Sequence, residues 1–270
     1  MNTCLRIREL LVRNDPAWTH WCAQGQARST LARASCLLAY LLPGACAYAL
    51  INVEPVFRAG VTLSGAEPLQ YQYVLFVLVT WLWHLVLPVA RLRWHDGLAW
   101  REVAEFLGLH RFRLREPLLA APLAFAASVL LSLPWMLTVY TPLQSWLGAQ
   151  PALAIPAHSM FASAAAFYGA SPLLLVLMLV GNFVGEEVYF HGYLMKKTAC
   201  LGRANWFVGS LLFALYHLWQ VPQTWPLLVP TLFFGLLMQM RKDLYGLIAF
   251  HACFNVFGYP IYHLWLGLGS

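Results

Sequence analysis

Long apolar runs recur along the whole chain and are separated by short polar segments. A helix needs about 20 mostly apolar residues to cross a bilayer, so each such run is a candidate membrane span. Seven runs qualify: 31–52, 71–90, 117–140, 172–195, 204–220, 226–241 and 244–266. The pattern predicts an all-α fold, a polytopic transmembrane helical bundle of about seven spans.

Two polar interruptions differ from ordinary loops. Residues 98–115 are helix-compatible but charged, which predicts an interfacial amphipathic helix lying on the membrane. Residues 142–170 combine prolines with an apolar, alanine-rich middle. This second segment is either a loop with a re-entrant turn or a weak eighth span.

The chain divides into an arm and one domain. Residues 1–30 are polar and basic and are interpreted as an N-terminal arm, while 31–270 form a single transmembrane domain. The run Ser35–Ala47 ends in small residues, as a cleaved signal would. We prefer a membrane span there, because 31–52 is long enough to cross.

The basic residues indicate how the bundle is oriented. All but one of the 17 lysines and arginines lie in four stretches, 6–33, 91–115, 196–203 and 241–242, and the exception is Arg58. With seven spans, these stretches share one side of the membrane. Because basic loops remain in the cytoplasm, we expect a multi-pass protein of the cell membrane with a cytoplasmic N-terminal arm and an external C-terminus.

Composition supports a lipid-facing exterior and argues against other partners. Hydrophobic residues make up 60% of the chain and charged residues only 10%, against about 25% charged in soluble proteins. The net charge of +6 comes from basic residues in the loops between apolar runs, where they indicate membrane orientation. We therefore expect the bilayer, and not nucleic acid, as the partner. The six cysteines have no metal-binding spacing and predict neither disulfides nor a redox site.

Two adjacent acidic residues, Glu186 and Glu187, stand inside the apolar run 172–195. A charge at bilayer depth costs about 2.5–3.5 kcal/mol on insertion scales, so such residues usually face the bundle interior and serve function. A structural role would require separate polar partners for both, because neighbouring side chains on a helix point about 100° apart.

Later spans carry polar residues that could be those partners. The run 204–220 contains His217, and 244–266 contains His251 and Asn255 on one helix face. A carboxylate with an imidazole can activate water, and neutral donors can hold an oxyanion. We assign His84, His158 and His263 to ordinary helix-bridging roles.

Three ordered motifs now resemble a known family. They are EEVYFH at 186–191, FALYH at 213–217 and HACFN at 251–255, similar to EExxxR, FxxxH and HxxxN of the CPBP family. The best-known members of that family are type II CAAX prenyl endopeptidases. The resemblance is strongest over 171–260, which we interpret as the catalytic core.

The resemblance implies a role for each matched residue. Glu186 and His217 would activate the attacking water, and His251 and Asn255 would stabilise the oxyanion, as in glutamic-type intramembrane proteases. We expect them to share one cavity at membrane depth, open toward lipid or the cytoplasm. No cofactor is needed in this interpretation. Zinc remains an alternative, with Glu186, His217 and His251 as ligands.

One position departs from the family pattern. His191 stands where the family has arginine, four residues after Glu187. An arginine would form a permanent charge-assisted pair, whereas histidine does so only when protonated. We therefore expect Glu187 and His191 to support the catalytic residues from behind, with a pairing that depends on protonation.

Three functions remain open from the sequence. The leading one is an intramembrane endopeptidase that cleaves a membrane-anchored or prenylated protein or peptide. The second is a non-catalytic relative acting as a membrane scaffold or immunity protein, which the change at His191 favours. The third is a proton-coupled transporter that uses the glutamates as a relay, although no inverted repeat is visible.

The predicted orientation can be tested with C-terminal fusions. With seven spans and a cytoplasmic N-terminus, the C-terminus lies outside. A C-terminal alkaline phosphatase fusion should be active, and a green fluorescent protein fusion should be dark. The reverse pattern would show that the number of spans is even.

Overall fold

A computed structural model describes residues 12–26, 30–258, 260, 261 and 264. The described part of the chain is helical and contains no strand, in agreement with the predicted all-α fold. His263 and the C-terminal residue Ser270 lie outside the described residues, as do residues 1–11 and 27–29 of the arm.

The helices follow one another with short connections. We number them as follows, leaving out one 3-10 helix: α1 Pro16–Gln26, α2 Thr30–Asn52, α3 Glu54–Ser64, α4 Pro68–His95, α5 Trp100–Leu107, α6 Glu116–Gly148, α7 Ala164–Tyr168, α8 Pro172–Lys197, α9 Asn205–Tyr216, α10 Leu218–Arg241 and α11 Leu244–Gly258. A short 3-10 helix, Ala199–Ala204, joins α8 to α9.

Local sequence explains where the helices of the later half begin. The Ser171 side chain accepts a hydrogen bond from the Leu174 backbone N–H at the start of α8, where Pro172 suits the first turn. The Asp243 carboxylate accepts one from the Gly246 N–H and starts α11. Before it, Lys242 adopts a left-handed backbone with φ 53°, which ends α10.

By length and composition, four of the described helices could cross a membrane, namely α4, α6, α8 and α10. The number rises to five if Leu37–Asn52 and α3, which bend by 80°, count as one span. The predicted number of about seven spans, possibly eight, is therefore not confirmed. In the described part of the chain, each of the seven apolar runs nevertheless falls mainly in helix, and the run 204–220 is interrupted at His217.

The short helices explain this difference. The run 204–220 is represented by the 12 residues of α9, which measure roughly 18 Å against a bilayer core of about 30 Å. The run 226–241 is longer than predicted, because helical turns already begin at Leu218. The described part of α11 is also shorter than a full span.

The two irregular segments behave differently from each other. Within 98–115 only α5 is helical, with Val103, Phe106 and Leu107 buried and Trp100 exposed, so the predicted amphipathic helix exists but is shorter. Residues 149–163 form turns and α7 has five residues, so the described structure of 142–170 contains no eighth span.

Leucines on α6 show how the bundle meets its surroundings. Five of them expose more than half of their side chains: Leu118, Leu123, Leu130, Leu131 and Leu137. Exposed apolar rows of this length are costly in water and favourable in lipid. The helices therefore fit a membrane protein.

The basic turns gather at one end of the bundle, which we call the basic end and define by 91–115, 196–203 and 241–242. Ion pairs tie this end together: Arg241 with Glu116, Lys197 with Asp96, and Arg13 with Asp243. Helix α1 is part of it, because Trp18 and Trp21 are buried in the common core. The basic stretches are thus neighbours in space, as the orientation argument assumed.

Helices α4 and α8 approach closely where α8 has glycine. A Cβ atom at Gly185 would lie 2.3 Å from the carbonyl oxygen of Thr80, and one at Gly181 would lie 2.3 Å from the Thr80 Oγ1. Both distances are far below van der Waals contact. These glycines let the helix that carries the acidic pair pack against α4.

We expect Gly185→Ala to destabilise the protein by about 1–3 kcal/mol, because the added methyl group overpacks a backbone contact. Gly148→Ala is a matched control, since a Cβ there would meet nothing closer than 3.9 Å. Thermal unfolding in detergent measures the difference. Equal melting temperatures for the two variants would contradict the close approach of α4 and α8.

Candidate active site

Part of the helix that carries the acidic pair is π-helical. Within α8, residues Gly181–Leu194 have hydrogen bonds from i to i+5. Other π-helical stretches lie in α4, α6 and α11, so this winding does not by itself mark the site. Glu186 and Glu187 lie in this region, and neither exposes any surface.

Glu186 faces helix α9. Its Oε1 accepts a hydrogen bond of 3.2 Å from the Tyr216 hydroxyl. Its Oε2 lies 3.9 Å from His217 Nε2, which is longer than a direct hydrogen bond. Among the described residues no hydrogen bond satisfies Oε2. The carboxylate is thus held on one side and leaves an acceptor directed at His217.

The hydrogen bond on the other side of the His217 ring fixes its tautomer. Nδ1 lies 2.9 Å from the Phe213 carbonyl oxygen. A carbonyl only accepts, so Nδ1 must carry a proton. In the neutral ring Nε2 is then unprotonated, and it presents its lone pair toward Glu186. His217 ends α9 with a non-helical backbone, and this places its side chain beside α8.

Glu187 faces the other way and lies between two imidazoles. Its Oε1 accepts a hydrogen bond of 2.7 Å from His251 Nδ1 on α11. Its Oε2 lies 2.7 Å from His191 Nδ1, in an ion-pair contact without hydrogen-bond alignment. The predicted contact between Glu187 and His191 therefore exists, although histidine replaces the family's arginine.

Asn255 lies near the acidic pair but contacts Asn182, not Glu186. Its Nδ2 donates a hydrogen bond of 2.7 Å to Asn182 Oδ1, one turn before the acidic pair. Asn255 is exposed, and its amide has a second N–H that this bond does not use. Asn182 in turn interacts with the Glu186 side chain.

These groups border a cavity of about 300 Å³. Three of the four predicted catalytic residues line it, namely His217, His251 and Asn255. Glu186 does not reach the cavity surface; His217 and Asn182, which do, connect it to the space. Aromatic rings form most of the remaining wall: Phe76, Tyr140, Phe161, Phe167, Tyr168, Phe213, Phe234 and Phe254.

Sequence reasoning missed two members of this cluster. Tyr216 holds Glu186, and Asn182 links Glu186 to Asn255. Asn182 carried a signal, since it is an uncharged polar residue in an apolar run, four positions before Glu186. The only signal for Tyr216 was its position beside His217. Its residue type gave none, because a tyrosine in an apolar helix is usually part of the core.

The other histidines differ in their surroundings. His158 lies with Nε2 2.9 Å from the Ile51 carbonyl oxygen and stacks on Phe57, which fits the bridging role expected of it. His84 is fully buried among Tyr189, Phe190 and Tyr216, and no described residue hydrogen-bonds to its ring. A bridging hydrogen bond from His84 is therefore not seen in the described structure.

Zinc would require Glu186, His217 and His251 to surround one point. His251 instead directs Nδ1 at Glu187, and the described residues contain no group of three or more His, Cys, Asp or Glu side chains arranged to hold an ion. The three residues as placed do not fit a zinc site.

Residues 168–257 match one family model, described as type II CAAX prenyl endopeptidase Rce1-like. The matched segment is Rce1-like. It covers about a third of the chain and contains all three motifs, which confirms the resemblance predicted from them. The family is one of CAAX endopeptidases, so a membrane protease is supported at the level of the family. No curated protein and no solved structure is significantly similar to the chain.

The two glutamates of the Rce1-like segment should differ in their effect on stability. Glu187→Ala would leave two buried imidazoles without their carboxylate, whereas Glu186→Ala would remove the partner of the buried Tyr216 hydroxyl and of Asn182, which is only partly buried. Each unsatisfied buried group costs about 1–3 kcal/mol, so Glu187→Ala should be the more destabilising by about that amount.

Thermal unfolding of both variants in one detergent measures this difference. The two substitutions remove the same side-chain volume from adjacent positions, so each is the other's control. A larger loss for Glu186→Ala would show that Glu186, and not Glu187, stabilises the bundle.

Proposed function

We propose that the protein is an intramembrane endopeptidase that hydrolyses a peptide bond in a membrane-associated protein or peptide. The facing pair of Glu186 Oε2 and His217 Nε2, 3.9 Å apart, is the observation that supports this proposal most strongly. Both atoms are hydrogen-bond acceptors. A water molecule that donates one hydrogen to each would direct its oxygen lone pair away from them, toward a substrate carbonyl.

The proposed reaction is acyl transfer to water. As the water oxygen bonds to the carbonyl carbon, its proton passes to the Glu186–His217 pair. The tetrahedral intermediate then collapses, the C–N bond breaks, and the same proton is delivered to the leaving amine. The products are a carboxylic acid and an amine, and no other reactant is needed.

Two side chains across the cavity are suited to hold the oxyanion. The Asn255 amide has an N–H that its bond to Asn182 does not use. His251 donates through Nδ1 to Glu187, so Nε2 can donate to an oxyanion only when the ring is an imidazolium. Glu187 would thus act through His251 as a positioning residue, with His191 holding its second oxygen.

Two features of the structure support a hydrolase over the other functions considered. A scaffold would not require an unsatisfied carboxylate oxygen beside an unprotonated imidazole nitrogen, because such pairs are costly when buried. A proton relay would be expected to run along the helices, whereas Glu187 is closed off between two imidazoles. We assign the protein to the cell membrane, with the basic end in the cytoplasm.

The test is cleavage of a membrane-anchored reporter by the purified protein and its variants. Glu186→Gln and His217→Ala should abolish cleavage, because the first removes the carboxylate base that takes up the proton of water and the second removes the imidazole acceptor. Asn255→Ala should lower the rate roughly 10²–10³-fold but leave some activity, as for loss of one oxyanion donor.

Gly148→Ala, at a position that the proposed mechanism does not use, serves as the control for handling and folding. Substantial cleavage by Glu186→Gln would rule out water activation by this glutamate. Full activity of Asn255→Ala would remove the amide from the proposed oxyanion site.

A further inference from the structure

We infer that the substrate reaches the active-site cavity from the non-cytoplasmic side of the membrane, as an uncharged apolar segment. This inference rests on the proposed function and adds the side and the chemistry of the substrate. The two observations behind it are the end of the bundle where the cavity lies and the residue types in its wall.

The cavity lies at the end of the bundle opposite the basic end. Its wall takes residues from the first half of α4 and α8, from α10 between Gln220 and Phe234, and from the last part of α6, α9 and α11. Residues of the segment 149–170, namely Phe161, Phe167 and Tyr168, close it. We call this the far end of the bundle.

Neighbouring helices run in opposite directions, so a cavity at one end of the bundle must be lined by the first half of some helices and the last half of others. The halves of α8 and α11 that line the cavity are those away from Lys197 and Asp243, which belong to or adjoin the basic end. Along α8, Asn182 lies roughly 20 Å from Lys197. No residue of the three basic turns lines the cavity.

The basic residues then decide which compartment the far end faces. Positively charged loops stay in the cytoplasm, so the ion-paired basic end is the cytoplasmic one. The far end, with the cavity, faces the opposite side. An opening toward the cytoplasm, which the sequence allowed, is incompatible with this placement.

The exposed part of the wall shows where a substrate can enter. Tyr168 exposes 65% of its side chain, and Asn255, Val256 and Phe257 on α11 are also exposed. The mouth is therefore bordered by the segment 149–170 and by an apolar face of α11. A segment at the non-cytoplasmic surface of the bilayer could reach it sideways.

The wall also selects for chemistry. None of the lining residues is Asp, Glu, Lys or Arg, and only His217 and His251 can carry charge. A charged side chain in such a cavity would be desolvated without a partner, which is costly. Eight aromatic rings offer apolar contact instead, and the Gln220 amide, which has no side-chain hydrogen bond among the described residues, could bind a peptide backbone.

Thiol labelling tests the side without relying on catalysis. In a background with the six cysteines replaced by serine, Tyr168→Cys marks the cavity mouth and Arg203→Cys marks the basic end, since both positions are exposed. Ala165→Cys is a second, conservative far-end marker in case Tyr168→Cys fails to fold. A maleimide that does not cross membranes is added to intact spheroplasts.

Tyr168→Cys or Ala165→Cys should be labelled at least ten times more than Arg203→Cys in intact spheroplasts. After permeabilisation all should be labelled. Labelling of Arg203→Cys alone in intact spheroplasts would overturn the inference, because the cavity would then face the cytoplasm. Equal labelling of both ends would also overturn it.

A second experiment tests the chemistry with a quenched fluorogenic peptide of uncharged apolar residues. Spheroplasts with the wild-type protein should cleave it, and those with Glu186→Gln should not. A matched peptide with a central aspartate and lysine should be cleaved at least ten times more slowly. Cleavage by inverted vesicles alone would contradict the proposed side.

Equal rates for the two peptides would contradict the selection against charge. Cleavage in neither preparation, together with far-end labelling, would contradict the peptidase function and leave the location of the cavity intact. The two proposals can therefore fail separately.

Discussion

Two adjacent carboxylates inside an apolar helix impose the main constraint on this bundle. Lipid offers them no hydrogen bonds, so their partners must come from other helices. Glu187 finds the imidazoles of His251 and His191, and Glu186 finds the Tyr216 hydroxyl. Helices α8, α9 and α11 must therefore meet at one depth, and Gly181 and Gly185 let α4 pack behind them.

The two carboxylates end in different environments although they are neighbours in sequence. Both oxygens of Glu187 lie 2.7 Å from an imidazole nitrogen, so this carboxylate is suited to hold the bundle and orient His251. Glu186 has one oxygen without a hydrogen bond among the described residues, and we propose that this oxygen binds the attacking water. Such a division suits catalysis, because a preorganised partner pair can surround a reacting group without reorganising during the reaction.

Much of the fold could be predicted from the sequence, because a helix in lipid satisfies its backbone hydrogen bonds within its own apolar segment and does not need contacts with other helices to form. Over the described residues, each predicted run falls mainly in helix. The number of crossings was not predictable in the same way: α9 is only 12 residues long, and α2 and α3 meet at an 80° bend. Such bends depend on packing between helices that are distant in sequence.

For the candidate site, the sequence by itself determined which residues are chemically costly in a membrane, and hence that Glu186, Glu187, His217, His251 and Asn255 belong together. Only the tertiary structure decided which residues contact each other. In it His251 hydrogen-bonds to Glu187, Tyr216 and Asn182 join the cluster, and the cavity lies at the far end of the bundle. Spacing within one helix fixes which residues share a face, but partners on different helices are fixed by how those helices rotate and pack.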